Sequence, residues 1–290
     1  MNVVILAAGY ATRLYPLTKE RPKGLLSLAG APILDYIMAQ IEAVDEVKKI
    51  YLVSNSRFAG QFRAWAEAHE AAGKRRVEVL DDGCQTEEEK LGALGDLDFC
   101  LRKQPSLAED PLLVLAADNL FSFSLREMAR RYRAMNQLEL GPGAMLVGSA
   151  PPPDEDMRRF AVAQVAEDGR VRHLEEKPEQ PQGETIVYAI YFYHPRALAL
   201  LPQYLAEGGA ADAPGHFPSW LYRRLPVYLQ HTTADCLDIG TPEAYAGIQA
   251  RVAEEPELLR AFAGKEAEPV PPPPAEHGKM ERSNGGGLGR

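Results

Sequence analysis

The feature that most restricts the fold is an alternation running from Asn2 to Met135. Short, continuous apolar runs are each followed by a stretch with apolar residues at helical spacing. The runs "NVVILAA" (2–8), "KKIYLVS" (48–54), "RVEVL" (76–80) and "PLLVLAAD" (111–118) are β-rich, and only Glu78 interrupts an apolar stretch. Such runs read as strands covered on both faces. Between them, Leu34, Ile37, Met38, Ile41 and Val44 share one helical face, with Pro32 suited to the first turn. Phe58, Phe62 and Trp65 stripe a second helix, and Leu91, Leu94, Leu97 and Leu101 a third. Ser124 and Glu127 form a capping-box pattern ahead of a fourth helix through Tyr132 and Met135. This order predicts an α/β fold: a Rossmann-like, mostly parallel mixed sheet with helices on both faces.

The second half changes character. "GAMLVGSA", "FAVAQVAE", "RVRHLEEK" and "ETIVYAIYFYH" read as strands with few helices between them, and "EDGR" (167–170) as a tight turn. A helix from Pro195 and another around Trp220 precede the strands "PVYLQH" and "DCLDIG". Thr241-Pro242 then caps and starts a last helix. The expectation is a parallel core followed by a partly antiparallel lobe. The domain reading is 1–250 for the folded unit, 251–264 for a C-terminal helix and 265–290 for a Pro/Gly-rich disordered tail.

Composition narrows the classes of partner. The 290 residues carry a net charge of −9, which argues against a general nucleic-acid surface while leaving room for one small anion site. No run approaches the roughly 20 apolar residues of a membrane span, and no secretory signal pattern is visible. Cys84, Cys100 and Cys236 lie far apart and read as reduced, partly buried thiols. These features predict a cytoplasmic protein without membrane or nucleic-acid partners, and leave a homo-oligomer open.

Against this acidic background, "ILAAGYATRLYPLTKERPKGLL" (5–26) is basic: Arg13, Lys19, Arg21 and Lys23 face only Glu20. A dinucleotide fingerprint is absent, because Gly9 is the only glycine between Ala7 and Lys23 and two prolines interrupt a helix there. The P-loop pattern is absent as well. What remains is a long loop whose backbone N–H groups around Ala8–Thr12 can cradle a phosphate chain, with Arg13 and Lys23 supplying charge. Asp118 ends an apolar strand, a position that points into the ligand crevice of an open α/β sheet or begins a turn. Asp238 ends another strand ahead of the Thr241-Pro242 cap. Glu175, Glu176 and Lys177 run into Pro178, which on its own is compatible with a solvated turn. His173 and His194 read as structural or surface residues.

The stretch "LAAGYATRLYPLT…RPKGLL" resembles the signature of the sugar-phosphate nucleotidyltransferase family, and the likeness extends from residue 2 to about residue 250 through "LVLAADN", "HLEEKPEQP" and "DCLDIGTPEAY". The resemblance implies a nucleotide-diphospho-sugar transferase fold with a sugar-binding lobe. It implies nucleotide contacts from Leu6, Ala8, Gly9, Ala11, Thr12, Arg13, Lys23 and Gly92. It implies sugar-phosphate contacts from Asp118, Ala161, Glu176, Lys177 and Val187, and Mg²⁺ held by Asp118 and Asp238. Arg13, Lys23 and Lys177 would be the catalytic cations. The implied reaction joins a nucleoside triphosphate, dTTP or UTP favoured, to a sugar-1-phosphate and releases pyrophosphate.

Several positions depart from the family pattern. Alanines stand at positions 8 and 11 where glycine is common; a left-handed backbone at Ala11 would cost about 1 kcal/mol. Cys236 replaces an aromatic residue, Phe160-Ala161 stands where Tyr-Gly is frequent, and Ala189 replaces a glycine. The last two changes imply a narrower or reshaped sugar pocket. The base-reading loop has no clear counterpart to the family's early glutamine, with Gln85 or residues 81–83 as candidates. A cytidylyltransferase for phosphocholine or another phosphorylated alcohol, and a non-catalytic nucleotide-sugar-binding regulator, remain alternative readings.

Overall fold

The computed structural model describes residues 1–137, 141–153 and 155–265, so the expected tail lies outside the described residues apart from Lys265. The parallel core is built from β1 (Asn2–Leu6), followed after the basic loop by the small hairpin β2 (Ser27–Leu28) and β3 (Ala31–Pro32) and by α1 (Ile33–Glu42). Next come β4 (Ile50–Ser54), α2 (Ser56–Ala71), β5 (Glu78–Asp81), α3 (Ala93–Lys103) and β6 (Leu112–Ala116). β6 pairs with β1, β1 with β4 and β4 with β5, all parallel. Val3, Val4 and Ile5 are fully buried, which is why the run has no polar alternation: both faces of the strand are covered.

The remaining elements are β7 (Asn119–Phe121), α4 (Leu125–Asn136), β8 (Ala144–Ser149), β9 (Ala161–Val165), β10 (Val171–Glu176) and β11 (Thr185–Tyr193). After them come α5 (Pro195–Leu198), α6 (Leu201–Ala206), α7 (His216–Leu221), β12 (Val227–His231), β13 (Cys236–Asp238), α8 (Pro242–Glu254) and α9 (Glu257–Phe262). β11 joins β6 antiparallel and carries the sheet over to β9 and β10 on one side and β8 and β12 on the other. The result is one nine-stranded mixed sheet, parallel in its first-half strands. One apolar core packs α1, α2, α4, α8 and α9 on one face; a second packs α3, α5, α6 and α7 on the other. No helix among the described residues is long and apolar enough to cross a membrane.

Three local expectations shift. Leu91 is not on the α3 stripe: Gly92 takes φ 78° and starts the helix after it, leaving Leu91 exposed. Pro32 pairs in the β2–β3 hairpin and stands just before α1 instead of inside its first turn. Residue 250 is not a boundary, because α8 runs through it and α9 follows as a separate short helix. Leu258 and Phe262 of α9 are buried in the main core, and the buried Gln40 amide donates to the carbonyls of Phe123 (3.0 Å) and Ala261 (3.1 Å). Two of the expected N-caps are in place. Ser124 Oγ accepts from Glu127 N at 3.3 Å, and Thr241 Oγ1 accepts from Ala244 N at 3.2 Å with Pro242 in the first turn. The cysteines are free thiols, two of them buried.

Candidate active site

Strand register decides which side chains meet. Leu6 of β1 is directly beside Ala116 of β6, so the loop after β1 and Asp118 after β6 leave the sheet at the same edge. Asp238 arrives by a different route. β13 pairs antiparallel with β7, placing Asp238 opposite Asn119, and Ile239 N donates to the Asp118 carbonyl at 3.3 Å. Two aspartates remote in the chain thus become neighbours through a short two-stranded sheet. A third register line crosses the second lobe: Ala161 of β9 pairs with Glu176 of β10 on one side and Val187 of β11 on the other. Residues that pair directly across strands share a face, so these three form one patch.

The basic loop is pinned at both ends. Ala11 adopts φ 50°, ψ 42°, the left-handed conformation that the glycine-to-alanine change made costly. The fully buried Thr18 hydroxyl donates to the Ala11 carbonyl at 2.7 Å, and the Leu14 N–H donates to the same oxygen at 2.9 Å. Tyr10 donates its hydroxyl to the Cys84 carbonyl, and Asn55, which also caps α2, donates to the Ala8 carbonyl at 2.8 Å. Gly9 has a different explanation. It has no left-handed backbone and nothing within 4 Å of where a Cβ would stand, so its missing side chain opens space in the cleft.

Two cavities result. The first, of about 440 Å³, is lined by Leu6, Ala8, Gly9, Ala11, Thr12, Arg13, Lys23 and Gly92. The second, of about 270 Å³, is lined by Ala161, Glu176 and Val187. Ala116, Asp118, Lys177, Asp212, Pro214 and Asp238 line both, so the cavities join along these residues. At the junction Lys23 Nζ lies 2.5 Å from Asp118 Oδ2 and 3.7 Å from Asp238 Oδ1. Burial alone would lower the Lys23 pKa, but the two carboxylates outweigh it and hold the ammonium above its usual range. The Asp238 carboxyl is raised by burial and then by Asp118, with Lys23 opposing.

The second cavity treats charge differently. Glu176 is buried, and burial pushes its carboxyl up to about 7; Lys177 opposes this and Asp212 reinforces it. Lys177 Nζ is 3.8 Å from Glu176 Oε1, a separation like that of Lys23 from Asp238. Lys177 itself takes φ 47°, a strained conformation for a non-glycine residue. Gly215 backs the Glu176 carboxylate so closely that a Cβ there would stand 1.9 Å from Oε2. Tyr188, also in this wall, shares a 2.6 Å hydrogen bond with Ser149.

Other lining residues carried no sequence signal that singled them out. Asp96 is buried in the first cavity wall. Burial and then Asp82 push its carboxyl up to about 8, and its Oδ1 has no hydrogen-bond partner. The only hint was an acidic residue in the first turn of a leucine-striped helix. Arg159 lines the second cavity, and Asp212 lines both. Gln85 and residues 81–83, the candidates for reading the base, do not line the first cavity, which is walled in that region by Glu87, Lys90 and Gly92. His173 lies beside Glu175 and Tyr222, and His194 caps α5 by accepting from Arg196 N; both are outside the cavities.

Asp118 and Asp238 offer hard carboxylate oxygens. A pair of these suits Mg²⁺, which takes one or two carboxylates and leaves its remaining positions to phosphate and water. The exposed Arg13 and the shared Lys23 line the first cavity and Lys177 lines both, so positive charge faces the joined cleft. This arrangement can hold a polyphosphate in the larger cavity and a second phosphorylated molecule in the smaller.

Comparison with known proteins gives matches over most of the chain. The family model described as nucleotidyl transferase matches residues 2–255. A mannose-1-phosphate guanylyltransferase catalytic subunit beta of Drosophila pseudoobscura pseudoobscura is 27% identical over 84% of this chain and 60% of its own length. A glucose-1-phosphate thymidylyltransferase of Streptomyces griseus is 27% identical over 73% of this chain and 56% of its own. The chain therefore spans little more than half the length of these two relatives. Among solved structures, UDP-glucose pyrophosphorylase complexed with UDP-glucose superposes with a TM-score of 0.71 at 17% identity, covering 88% of this chain and 98% of that one. That likeness concerns the fold.

Proposed function

The chain belongs to the nucleotidyl transferase family, and we propose that it joins a nucleoside triphosphate to a sugar-1-phosphate, giving a nucleoside-diphosphate sugar and pyrophosphate. The observation that carries this reading is the junction itself: Lys23 bridges Asp118 and Asp238 where the two cavities meet. The larger cavity takes the triphosphate against the loop of Gly9 to Arg13, and the smaller takes the acceptor over Ala161, Glu176 and Val187. An oxygen of the acceptor phosphate attacks the α-phosphorus. The bond from that phosphorus to the bridging oxygen breaks, and pyrophosphate leaves with the electron pair.

Such a transfer needs positioning and charge stabilisation from the protein and no covalent intermediate. Mg²⁺ held by Asp118 and Asp238 would neutralise charge on the α-phosphate. Lys177 holds the acceptor phosphate, which would otherwise repel the triphosphate. Arg13 steadies the β- and γ-phosphates and the departing pyrophosphate. Lys23 balances the aspartates and the phosphates they face. Fixing both reactants converts their meeting into an effectively intramolecular step.

For the nucleotide, dTTP or UTP is favoured, with support from the thymidylyltransferase relative and from a Haloferax volcanii relative named UTP–glucose-1-phosphate uridylyltransferase AglF. The guanylyltransferase relative keeps GTP in the test. The experiment is a pyrophosphate-release assay with Mg²⁺ that crosses UTP, dTTP, GTP and CTP with glucose-1-phosphate, mannose-1-phosphate and phosphocholine. Release is expected with a sugar-1-phosphate, and its loss is expected in Arg13→Ala. Release only with CTP and phosphocholine, or an Arg13→Ala variant within about two-fold of the unaltered protein, overturns the reading.

A further inference from the structure

The segment from Glu207 to Gly215, between α6 and α7, forms a strap across the joined cavities, and Asp212 is its only charged residue in their walls. The strap is fastened along its length. Gly209 N donates to the Tyr204 carbonyl at 3.0 Å, and the Tyr204 hydroxyl donates to the Ala210 carbonyl at 2.7 Å. Leu94 N donates to the Ala211 carbonyl at 2.9 Å, and Gly92 lets that carbonyl approach so closely that a Cβ would stand 2.5 Å from its oxygen. Ala213 is buried, and Gly215 abuts Glu176. The strap thus touches a wall of the nucleotide cavity at Gly92 and the acceptor cavity at Glu176.

Within this fastened backbone the Asp212 side chain is 66% exposed to the cavities and solvent. His216 Nε2 lies 3.2 Å from its Oδ1, which leaves Oδ2 for a ligand. A carboxylate beside sites for two phosphorylated molecules is repelled by both unless it meets a cation or hydrogen-bond donors. Among the described residues no three His, Cys, Asp or Glu side chains cluster closely enough to hold an ion, so Asp212 does not extend the Asp118–Asp238 pair into a larger metal site. Donors remain. Asp212 lines the acceptor cavity together with Glu176, against which Gly215 of the same strap stands, and its charge opposes that of Glu176.

We propose that Asp212 is a specificity-determining residue of the acceptor site, accepting hydrogen bonds from hydroxyl groups of the sugar alongside Glu176. The inference rests on the nucleotidyltransferase reading, and names a residue of the acceptor subsite that the sequence motifs do not contain. Asp212 takes no part in charge stabilisation at the α-phosphorus. Its loss weakens acceptor binding while leaving nucleotide binding intact.

The test uses Asp212→Ala and Asp212→Asn in the full chain, with thermal melting to verify that the exposed site tolerates them. With glucose-1-phosphate and mannose-1-phosphate as acceptors, the Ala variant is expected to raise the acceptor KM about ten-fold or more, the range for a lost hydrogen bond to a charged group. The nucleotide KM should stay within about two-fold, and Asn, which keeps one acceptor oxygen, should fall between. An unchanged acceptor KM, or a change confined to the nucleotide KM, overturns the proposal. Calorimetric titration with UDP-glucose, dTDP-glucose and GDP-mannose separates the two readings. If the unaltered enzyme releases no pyrophosphate but binds one of these, the catalytic reading falls, and equal affinity in the Ala variant sinks Asp212 independently. No binding by either protein overturns both.

Discussion

Asp118 and Glu176 are carboxylates in walls of the same joined cleft, yet the fold treats them oppositely. Asp118 touches an ammonium at 2.5 Å, and a second aspartate flanks the same lysine. Glu176 is buried with its nearest cation at 3.8 Å and Asp212 adding repulsion, so its carboxyl is raised to about 7. Asp118 is therefore paired with a cation already in the protein, while the Asp238 carboxyl beside it is raised by burial and by Asp118. Charge under the acceptor is left adjustable, and a ligand that donates hydrogen bonds or brings a cation can set it.

The hardest way to break this contrast is to remove a member of the junction. Asp118→Ala should lower kcat by about 10³-fold or more, as for loss of a preorganised charge-stabilising group, with the fold intact by circular dichroism. A chelator should reproduce the loss in the unaltered enzyme, and Mg²⁺ should reverse it. If kcat is retained in the variant while the nucleotide KM rises, the junction binds substrate and does no more.

Glu176→Gln probes the other side. A carboxyl raised from 4.5 to about 7 by folding binds its proton more tightly in the folded state. Its contribution to stability is present in full below about pH 4.5 and is lost as pH rises through 7. The full loss is about 3 kcal/mol, because the Glu176 side chain is only 7% exposed and solvent screens it little. The glutamine variant should lack this fall, so urea unfolding measured from pH 4.5 to 8 should show two curves that diverge as pH rises. Asp96 contributes a fall of the same sign to both proteins, so the difference between the curves isolates Glu176. Parallel curves would mean that Glu176 is ionised at neutral pH and that the contrast with Asp118 is false.

The same contrast explains what the sequence revealed. The parallel core was legible because β1, β4 and β6 are buried on both faces and the helices on one, which leaves an unambiguous period. The basic loop was legible because its charge stands out against an acidic chain and it interrupts that period. Asp118 and Asp238 could be named because they end apolar strands. What brings them together, the β7–β13 pairing, involves three-residue strands too short to carry a pattern. Asp212 was not legible at all, since a lone aspartate among glycines and alanines reads as an ordinary loop. Its place depends on backbone contacts at Ala211 and Gly215, which leave no mark beyond small residues. The expected boundary at residue 250 falls inside α8 for a related reason: Leu258 and Phe262 are too few to announce a further core-packing helix, which Gln40 and the facing apolar surface help to hold in place.

Gly215→Ala sharpens the acceptor side by steric means alone. Gly215 has φ −74°, which alanine adopts without strain, so the change adds only a methyl group. That methyl would overlap Glu176 Oε2 and press on Ala161 Cβ at 3.2 Å, displacing two of the three floor residues. Acceptor KM should rise about ten-fold, with the nucleotide KM unchanged, because a small misplacement at a positioning group is costly. Equal rises in both would show that the strap transmits the disturbance to Gly92, and the two cavities would then have to be treated as one.

Ala11→Gly carries the smallest effect and tests the nucleotide side. Ala11 holds φ 50° because the Thr18 hydroxyl and the Leu14 N–H both bind its carbonyl. Glycine would remove a conformational cost of about 1 kcal/mol. It would also make the unfolded chain freer, which offsets about half of that gain. The expected outcome is a stabilisation of a few tenths of a kcal/mol, with kcat and both KM values unchanged, measured by urea unfolding beside the activity assay. A loss of stability would place the Ala11 methyl in a favourable contact with the main core, against which it packs. A rise in kcat without a change in stability would be more informative. It would mean that alanine narrows the phosphate cradle, and that the departure from glycine at this position tunes the reaction, not the fold.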